Sequence, residues 1–493
     1  MAATTSSSMT FFVSFSLCLL LLSHGTATLQ EQEQEQGQQR QFRQQSQCRV
    51  ENLRALEPNR RIESEAGVTE HWDENNEEFE CAGVAATRYI IQPRGLLLPE
   101  FSNAPRLVYI EQGRGFSGAV IPGCPESFHS FRQSQQSEQE QGRQRYRDQH
   151  QKIHHFRQGD IIAFPAGMAH WCYNDGETPV VAVAVFDTSN QANQLDQNLR
   201  RFQLAGSQQY EPQSMQQQEE EQQRRRGRPY TRPAYQQESG NENIFSGFNV
   251  ETLAEAFGVS TETARKLQSE DDRRGNIVRV ENGLQVVRPP RREEDEQREQ
   301  RGLNGLEETT CSMRLTENIA DPTRADVYTP LGGRIRSTNG QNLPILRTLQ
   351  MSAERGVLYR NALLAPHWNL NAHSVVYVTR GNGRIQIVGD NGRSVFDGDV
   401  RQGQLVIVPQ MFAVLKQAGN EGFEYVAFKT NDNAISNPLV GKASAFRAMP
   451  EDVLMNAYRI SREEAWRLKY NRGEETKVFE PSYPRSEGGR ASA

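Results

Sequence analysis

The chain contains two stretches in which apolar and polar residues alternate on both sides of a Gly-x-Gly sequence. Residues 96–120 read LLLPEFSNAPRLVYIEQGRGFSGAV, and residues 363–387 read LLAPHWNLNAHSVVYVTRGNGRIQI. Alternation with a period of two predicts β-strands that bury one face, and the Gly-x-Gly sequence predicts a hairpin turn between them. The pattern therefore indicates a strand-rich unit that occurs twice, at an offset of 267 residues.

Two further pairs of segments extend this repeat. Gly159–Pro165 (GDIIAFP) matches Gly403–Pro409 (GQLVIVP) at an offset of 244 residues. The helical stretch that begins at Asn249 (NVETLAEAFGVSTETARKLQ) matches the one at Pro450 (PEDVLMNAYRISREEAWRLK) at an offset of 201 residues. Each unit is thus predicted to consist of strands followed by helices. The offset falls from 267 to 244 to 201 residues along the chain, which indicates that the first unit contains insertions between these segments.

Three tracts rich in Gln, Arg and Glu interrupt this pattern. The insertions coincide with tracts 132–151 and 207–240, and a third tract, 291–304, separates the two units. Such segments cannot bury enough apolar surface to offset the entropy lost on ordering them. We therefore expect them to be mobile surface loops, outside the packed part of the protein.

The helical stretches are short and amphipathic. Ser461 and Glu464 have the S-x-x-E spacing of a capping box, which predicts that a helix begins near Arg462. Such helices must bury their apolar faces either on their own barrel or, as we expect, on a neighbouring subunit. Apolar residues at helical spacing in the first unit are Leu253, Ala256, Phe257 and Leu267.

One motif in the first unit resembles the second motif of the cupins. Its pattern is G-x5-P-x-G-x2-H-x3-N, and its residues are Gly159, Pro165, Gly167, His170 and Asn174. The resemblance implies a small antiparallel jelly-roll barrel. In metal-binding cupins the His of this motif joins two His and a Glu of a first motif, spaced H-x-H-x4-E, and that ligand set suits a divalent transition metal.

Neither unit has the full ligand set. In the second unit Met411 replaces the Gly of the second motif and Val414 replaces its His. Because Leu and Val cannot coordinate a metal, we predict no metal site, no cofactor and no catalytic residue, with His170 and His367 as hydrogen-bonded residues of the barrel interior. The first-motif positions hold Glu100, Ser102 and Leu107 in the first unit and His367, Asn369 and Ser374 in the second.

The N-terminus is typical of a secretory signal peptide. Phe11–Leu22 (FFVSFSLCLLLL) is an apolar run, small residues follow it, and residues 1–29 contain no Lys, Arg, Asp or Glu. A membrane-spanning helix needs about 20 apolar residues, so the run is too short to span. We expect residues 1–28 to be removed and the rest of the protein to have no membrane segment.

The charge distribution separates the chain into two parts. The formal net charge of −6 excludes a basic nucleic-acid-binding protein. Residues 305–493 hold 23 basic and 20 acidic residues, whereas the remainder has a net charge of −9. The boundary is the Asn304–Gly305 sequence, next to a polar tract that would give a protease access. A cut there would produce one acidic chain and one slightly basic chain.

Cysteine usage suits an oxidising compartment. Of six cysteines, Cys18 leaves with the signal peptide, and the odd number that remains allows at most two disulfides and one free thiol. The lack of any C-x-x-C sequence argues against zinc and against a thioredoxin-like site. Cys172 lies in an apolar stretch (HWCYN), which favours a buried structural thiol over a reactive one.

Several segments together resemble the legumin-type (11S) seed storage globulins, and the resemblance covers nearly the whole mature chain. The segments are CRVENLRALEPNRRIESEAG, FECAGVAATR, VIPGCPESF, GDIIAFPAGMAHW and NGLEETTCSMRL. The resemblance implies a mainly β bicupin, with two jelly-roll β-barrels that are each followed by a small helical extension. It implies an acidic chain, 29–304, with its barrel at about 48–270, and a basic chain, 305–493, with its barrel at about 311–480.

The resemblance also implies how the protein matures. An asparaginyl endopeptidase of the seed storage vacuole would cut after Asn304, and the protein would be a trimer as precursor and a hexamer after processing. Related seed proteins are food allergens. The implied cysteine states are a Cys48–Cys81 bridge in the acidic chain, a Cys124–Cys311 bridge between the chains, and a free Cys172.

The favoured function is that of a non-catalytic nutrient reservoir. Gln carries one side-chain nitrogen and Arg three, so the polar tracts raise the nitrogen content. Lengthening a surface loop costs only roughly 0.6 kcal/mol per doubling of its length, so such insertions are tolerated. Two alternatives remain at this point, a germin-like metal-dependent oxidase and a small-ligand-binding bicupin, although no convergent set of polar residues is visible for a ligand.

Overall fold

The structure is a computed structural model that describes residues 50–73, 76–120, 153–208, 241–269, 272–284, 286 and 313–480. The predicted signal peptide and almost all of the three polar tracts lie outside these ranges. In the part of the chain that is described, no helix is long and apolar enough to cross a membrane.

The first repeat unit folds into two antiparallel sheets around a common apolar core. Its strands are β1 (Arg60–Ser64), β2 (Gly67–His71), β3 (Val84–Ile91), β4 (Gly95–Ser102), β5 (Arg106–Gln112), β6 (Arg114–Val120), β7 (Ile153–Arg157), β8 (Asp160–Phe164), β9 (Ala169–Tyr173), β10 (Val180–Asp187), β11 (Arg201–Gln203), β12 (Ser207–Gln208), β13 (Asn241–Glu242), β14 (Ile277–Arg279) and β15 (Thr316–Asn318). One sheet has the order β1-β2-β3-β10-β5-β8-β15, and the other has the order β11-β4-β9-β6-β7 with β14 beside β4. β12 and β13 form a separate pair.

The second unit repeats this arrangement in one curled antiparallel sheet. Its strands are β16 (Val327–Thr329), β17 (Gly333–Thr338), β18 (Ser352–Leu358), β19 (Leu363–Asn369), β20 (Ser374–Val388), β21 (Ser394–Arg401), β22 (Leu405–Val408), β23 (Ala413–Lys429), β24 (Ser436–Pro438) and β25 (Val478–Phe479). The long strands β20 and β23 pair with each other, and their register shifts after Val378 and after Gly381. Such irregularities bend a strand pair, so these two strands take part in both walls of the barrel. The prediction of two mainly β units is confirmed.

Short helices follow most of the strands of each barrel, as the sequence predicts, and two further short helices lie between strands, one after β2 and one after β17. The helices are α1 (Glu77–Ala82), α2 (Val250–Phe257), α3 (Thr261–Gln268), α4 (Leu346–Leu349), α5 (Ala445–Ala448), α6 (Glu451–Tyr458) and α7 (Arg462–Tyr470), with a 3-10 turn at Pro322–Arg324. The predicted capping box is present: the Ser461 side chain accepts from the Glu464 backbone N–H, and the Glu464 carboxylate accepts from the Ser461 backbone N–H. Asn249 and Ser260 cap α2 and α3, each through a single bond in which the side chain accepts from a backbone N–H.

The boundary between the two units differs from the expected one. The second barrel was expected to begin at about residue 311, but its strands begin at Val327. The preceding strand, Thr316–Asn318, instead pairs with β8 of the first barrel, and Leu315 and Ile319 on either side of it are buried in an apolar core that contains residues of both barrels. The expected end of the first barrel near residue 270 is likewise too early, since Ile277–Arg279 pairs with β4.

Candidate functional site: the interiors of the two barrels

The positions at which cupins hold a metal ion lie inside the barrels. In the first barrel, Glu100 on β4 and His170 on β9 are register partners on neighbouring strands. Their side chains are 1% and 2% exposed, and His170 Nε2 lies 3.8 Å from Glu100 Oε1. The structure therefore brings together two of the four positions of the metal-binding pattern.

The cation beside these two side chains is a guanidinium group. Arg106, at the start of β5, donates from Nη1 to Glu100 Oε1 at 2.9 Å and from Nη2 to His170 Nδ1 at 2.8 Å. Its guanidinium carbon lies 5.1 Å from the centre of the Phe186 ring, which adds a cation–π contact. Because a buried carboxylate is costly without a positive partner, Arg106 supplies from the chain itself the charge that a metal would supply.

This arrangement sets the protonation states inside the barrel. Burial alone raises the pKa of the Glu100 carboxyl, but attraction to Arg106, His170 and Arg201 outweighs it and lowers that pKa to about 2. Burial, together with repulsion by Arg106, lowers the pKa of the His170 ring to about 3. The second Glu100 oxygen accepts from Gln203 Nε2 at 2.8 Å. At neutral pH the cluster is an ion pair with a neutral imidazole beside it.

The two remaining positions do not fit a metal ion. The Ser102 hydroxyl donates to the Ala104 carbonyl oxygen at 2.8 Å, and the Leu107 side chain is fully buried in the apolar core. Across the described ranges, no three His, Cys, Asp or Glu side chains lie close enough together to hold a metal ion. The first barrel therefore lacks the donor set that a germin-like oxidase requires.

The other residues of the cupin motif stabilise the backbone turns next to the strands. Gly159 and Gly167 have φ values of +88° and +74°, in the left-handed region that favours glycine, at the two turns that flank β8. The Pro165 carbonyl oxygen accepts from the Met168 N–H in the second of these turns. Asn174 Nδ2 donates to two backbone carbonyl oxygens, both at 2.9 Å. The motif thus fixes the turns at the ends of the strands.

The corresponding positions of the second barrel contain one imidazole. His367 Nδ1 lies 2.8 Å from the Ala365 carbonyl oxygen, and the register partner of His367 is Val414. Asn369 and Ser374, at the two remaining positions of the metal-binding pattern, are buried. One imidazole, one amide and one hydroxyl beside an apolar side chain do not make a transition-metal site.

The second barrel also contains internal cations. Lys429 Nζ lies 3.2 Å from Glu354 Oε2, and the Tyr425 hydroxyl donates to Glu354 Oε1 at 3.1 Å. Lys416 Nζ lies 4.1 Å from the centre of the Tyr425 ring. Lys416 is only 2% exposed, so its charge is stabilised by the ring and by Glu354 rather than by bulk water. Both barrels therefore enclose a carboxylate with a cation of the chain.

Burial and these cations shift the pKa values in the second barrel. Burial raises the pKa of the Glu354 carboxyl, but attraction to Lys429 and Lys416 outweighs it and places that pKa well below its usual range. Burial lowers the pKa of Lys416 to about 8, against the opposing attraction of Glu354. Burial, with repulsion by Lys416, lowers the pKa of His367 to about 3.

Sequence reasoning missed the cations of these clusters, although a signal for them exists. Arg106 begins the otherwise apolar strand RLVYI, and Lys416 interrupts the apolar stretch FAVLKQA. Lys and Arg are almost never fully buried unless they are paired. A charged residue at an inward position of such a strand therefore predicts a buried ionic partner, even where the partner cannot be named.

The interior of the first barrel has little free space. A cavity of about 30 Å³ lies among apolar side chains, with Tyr89, Arg106, His170 and Cys172 on its wall. That is room for about one water molecule, whereas small-molecule sites enclose about 300–1,000 Å³. Burial raises the pKa of the Cys172 thiol to about 12, so the thiol is protonated and weakly nucleophilic at neutral pH. This cavity does not favour the small-ligand-binding alternative.

The predicted processing and disulfide residues are mostly outside the described residues. Cys172 has a free thiol, and Cys81 in α1 is disulfide-bonded. The pairing of the cysteines and the position of the cut therefore stay predictions. The predicted residues outside the described ranges are Cys48, Cys124, Cys311, Asn304 and Gly305.

Comparison with known proteins places these observations in a family. The cupin family matches residues 53–209 and 317–465, which span most of the two barrels. Cocosin 1 of Cocos nucifera is 55% identical over 473 residues, which cover 95% of this chain and 97% of that protein. The 11S globulin seed storage protein 1 of Carya illinoinensis is 55% identical over 458 residues, which cover 88% of this chain and 90% of that protein.

The similarity extends to a solved structure. The crystal structure of the coconut allergen cocosin is 53% identical, has a TM-score of 0.74, and is matched over 88% of this chain and 100% of that chain. The predicted family and the predicted pair of cupin barrels are confirmed by these matches. The chain belongs to the cupins and, among them, to the 11S globulins, the non-catalytic storage proteins of seeds.

Proposed function

We propose that this seed storage protein accumulates in the storage vacuole as a nutrient reservoir of disulfide-linked acidic and basic chains. An asparaginyl endopeptidase would cut between Asn304 and Gly305 after the signal peptide has been removed. The Cys124–Cys311 bridge would join the chains, and the Cys48–Cys81 bridge would lie within the acidic chain. The protein would serve through its composition, which supplies nitrogen when the chain is degraded.

The observation that supports this proposal is that charged residues of the chain itself occupy the interior of both barrels. Arg106 pairs with Glu100 in the first barrel, and Lys429 pairs with Glu354 in the second. These side chains fill the region in which a catalytic cupin would bind a metal and a substrate.

Gel electrophoresis of the protein from seeds tests the proposed maturation. A reducing gel should show one heavier and one lighter chain, and a non-reducing gel should show them joined. Terminal sequencing of the lighter chain should begin at Gly305 with GLEETTCSM. The variant Asn304→Gln, expressed in seeds, should remain a single chain under reduction. A mature wild-type protein that stays one chain under reduction would exclude a cut at Asn304.

The helical extensions provide surfaces for self-association. In the first unit, α2 and α3 pack on each other through Leu253, Ala254 and Ala264, yet other apolar side chains of this extension remain exposed. The helices α6 and α7 of the second unit also present apolar side chains to solvent. The exposed apolar residues in and beside these four helices are Phe248, Phe257, Val259, Val453, Tyr458, Trp466 and Leu468.

Exposed apolar patches of this kind mark sites of protein–protein contact. Two different patches on one chain favour a head-to-tail contact, which closes into a ring when the rotation between copies allows it. We therefore propose that α2 and α3 of one copy contact α6 and α7 of the next, giving a trimeric precursor. Two such trimers would stack into the hexamer after processing.

Charge introduced into this surface should abolish the trimer. The double variant Phe257→Glu/Trp466→Glu places two carboxylates at side chains that are 53% and 52% exposed in the single chain. Light scattering coupled to size exclusion should show a monomer, because burying an unpaired carboxylate is strongly unfavourable. The control is Leu195→Glu, at an equally exposed Leu outside the helical extensions, which should stay trimeric. A double variant that remains trimeric would show that the helices are not the contact.

A further inference from the structure

A strand that follows the proposed cut completes the first barrel. Strand β15 pairs with β8, so that Thr316 lies opposite Ile162 and Asn318 opposite Asp160. The Ala163 N–H donates to the Leu315 carbonyl oxygen at 2.8 Å. Backbone bonds combined with buried alternate side chains are the features of strand addition to a sheet edge.

The side chains of this segment anchor it in the first barrel. Leu315 and Ile319 are 2% and 1% exposed, and both belong to an apolar core that contains residues of both barrels. The Ile319 N–H donates to the Gly159 carbonyl oxygen at 2.9 Å, and Asn318 Nδ2 donates to Asp160 Oδ1 at 2.7 Å. Residues 313–320 therefore contribute both main-chain and side-chain contacts to a barrel that precedes the cut.

A segment that precedes the cut makes the reciprocal contact with the second barrel. Leu56 and Leu405 exchange two backbone hydrogen bonds, at 2.8 and 2.9 Å. The Leu53 N–H donates to the Val395 carbonyl oxygen at 2.8 Å, and the Leu53 side chain is 5% exposed. Glu57 Oε1 lies 2.7 Å from Arg401 Nη2. Residues 53–57 thus attach to strands β21 and β22.

We infer that the two chains of the processed protein are interlocked by a reciprocal exchange of segments. Residues 313–320 of the basic chain complete the first barrel, and residues 53–57 of the acidic chain attach to the second barrel. Each barrel binds a specific segment of the other chain, in addition to the apolar core that the two barrels share, so the interchain disulfide is not needed to keep the chains together. This inference rests on the proposed cut after Asn304 and extends it to the state after cleavage.

Reduction under native conditions tests the interlock. The processed protein is treated with dithiothreitol without denaturant and analysed by size exclusion. The two chains should elute together, and they should separate only when urea is added. Separation of the chains in native buffer after reduction would overturn the inference.

Amide hydrogen exchange distinguishes the interlock from contacts between copies. The Ala163 amide is bonded to Leu315, and the Leu405 amide to Leu56, so each reports one exchanged segment. In the reduced, processed protein both amides should be as protected as in the uncut precursor. Loss of protection at these two amides, with the amides of Val183 and Val426 in the barrel cores still protected, would overturn the inference. This measurement needs no substitution.

A pair of variants tests the same point in the basic chain. Leu315→Asp puts a charge on a side chain that is 2% exposed in the core, whereas Leu331→Asp is the same change at a side chain that is 62% exposed. After reduction, Leu315→Asp should release the basic chain and Leu331→Asp should retain it. Equal retention of the chain in both variants would overturn the inference, and amide exchange of the wild-type protein decides the matter if Leu315→Asp does not fold.

The result remains interpretable if the proposed cut is wrong. A reducing, denaturing gel with a single chain would reject the cut after Asn304, independently of the interlock. A protease site inserted between Asn304 and Gly305 would then supply the break in the folded protein. The same elution and exchange measurements on that cleaved protein decide whether the segments hold the chains together.

Discussion

Replacing Arg106 by Met is expected to lower the free energy of unfolding by about 3–5 kcal/mol, the usual effect of breaking a buried ion pair. The variant leaves the Glu100 carboxylate, which is 1% exposed, without its cation. It also removes the donor to the His170 ring. Urea unfolding followed by tryptophan fluorescence measures the change, with Trp171 on β9 as a reporter in the first barrel.

The double variant Glu100→Gln/Arg106→Met separates the loss of pairing from the loss of packing. Removing both charges leaves no unpaired charge in the core, and replacing a buried ion pair by well-packed hydrophobic groups of similar volume is often neutral or stabilising. The double variant should therefore recover most of the stability that the single variant loses. The control Arg380→Met removes an arginine that is 79% exposed and should change stability by less than about 0.5 kcal/mol. A double variant as unstable as the single one would mean that the Arg106 side chain acts mainly by packing.

The fold could be predicted because its signals are local. The alternation around the two Gly-x-Gly sequences and the spacing of Gly159 and Pro165 each depend on a few neighbouring residues. The capping box at Ser461 is a signal of the same kind, and the helix begins at the residue that it predicts. An alternation with a period of two and a helix cap are both recognised from neighbouring residues, so they can be predicted without any tertiary contact.

The chemistry inside the barrels could be predicted only in part. The sequence shows that ligand positions have been lost at Leu107 and Val414, because those side chains cannot coordinate a metal. It does not show that Arg106 meets Glu100 and His170, because this contact depends on the register between separate strands. One residue of register reverses the direction of every side chain in a strand. The loss of the metal site can therefore be predicted from the sequence, whereas the contact of Arg106 with Glu100 and His170 cannot.

The exchanged segments could not be predicted for a related reason. The repeat predicts that each unit is self-contained, so the segment after the cut was assigned to the second barrel. Strand β15 has only three residues, too few for a periodic signal, and its position is set by the burial of Leu315 and Ile319. The position of a short strand at the end of a unit depends on tertiary packing. In a duplicated fold such a strand can pack on either unit.

The two barrels pair a buried carboxylate with cations at different positions. In the first, the cation is Arg106 on β5, one position before Leu107. In the second, Lys429 lies at the end of β23, and Lys416 lies 244 positions after Cys172, the offset of the second cupin motif. The cations that pair with the carboxylates therefore occupy different positions in the two units. In both barrels a buried carboxylate is paired with a cation of the chain, which suits a protein whose barrels are scaffolds.

Acid is expected to destabilise the protein steeply below about pH 6. The rings of His170 and His367 have folded-state pKa values of about 3, whereas an unfolded histidine titrates near 6.5. Between these values the unfolded chain binds a proton that the folded chain does not, so stability falls as the pH falls. Each histidine contributes about 1.4 kcal/mol per pH unit, and the two together about 2.7 kcal/mol per pH unit.

Glu100 adds to this loss at lower pH. Its folded-state pKa is about 2, below the ordinary value of 4.5, so the stability that it provides is complete above about pH 4.5 and is lost as the pH falls towards 2. The histidines act first, between about pH 6.5 and 3, and the carboxylate acts between about pH 4.5 and 2. Acid unfolding should therefore begin in the range of the histidines.

The variants His170→Gln and His367→Gln test this assignment, and each serves as a control for the other. Urea unfolding of the wild-type protein at pH 6, 5 and 4 gives the slope of stability against pH. Each single variant should reduce that slope by about 1.4 kcal/mol per pH unit, and the double variant should reduce it by about twice as much, because each removes one proton uptake on unfolding. The two buried side chains lie in separate barrels, so their effects should add. Slopes that stay unchanged in the variants would show that other groups, and not the two barrel histidines, limit the stability in acid.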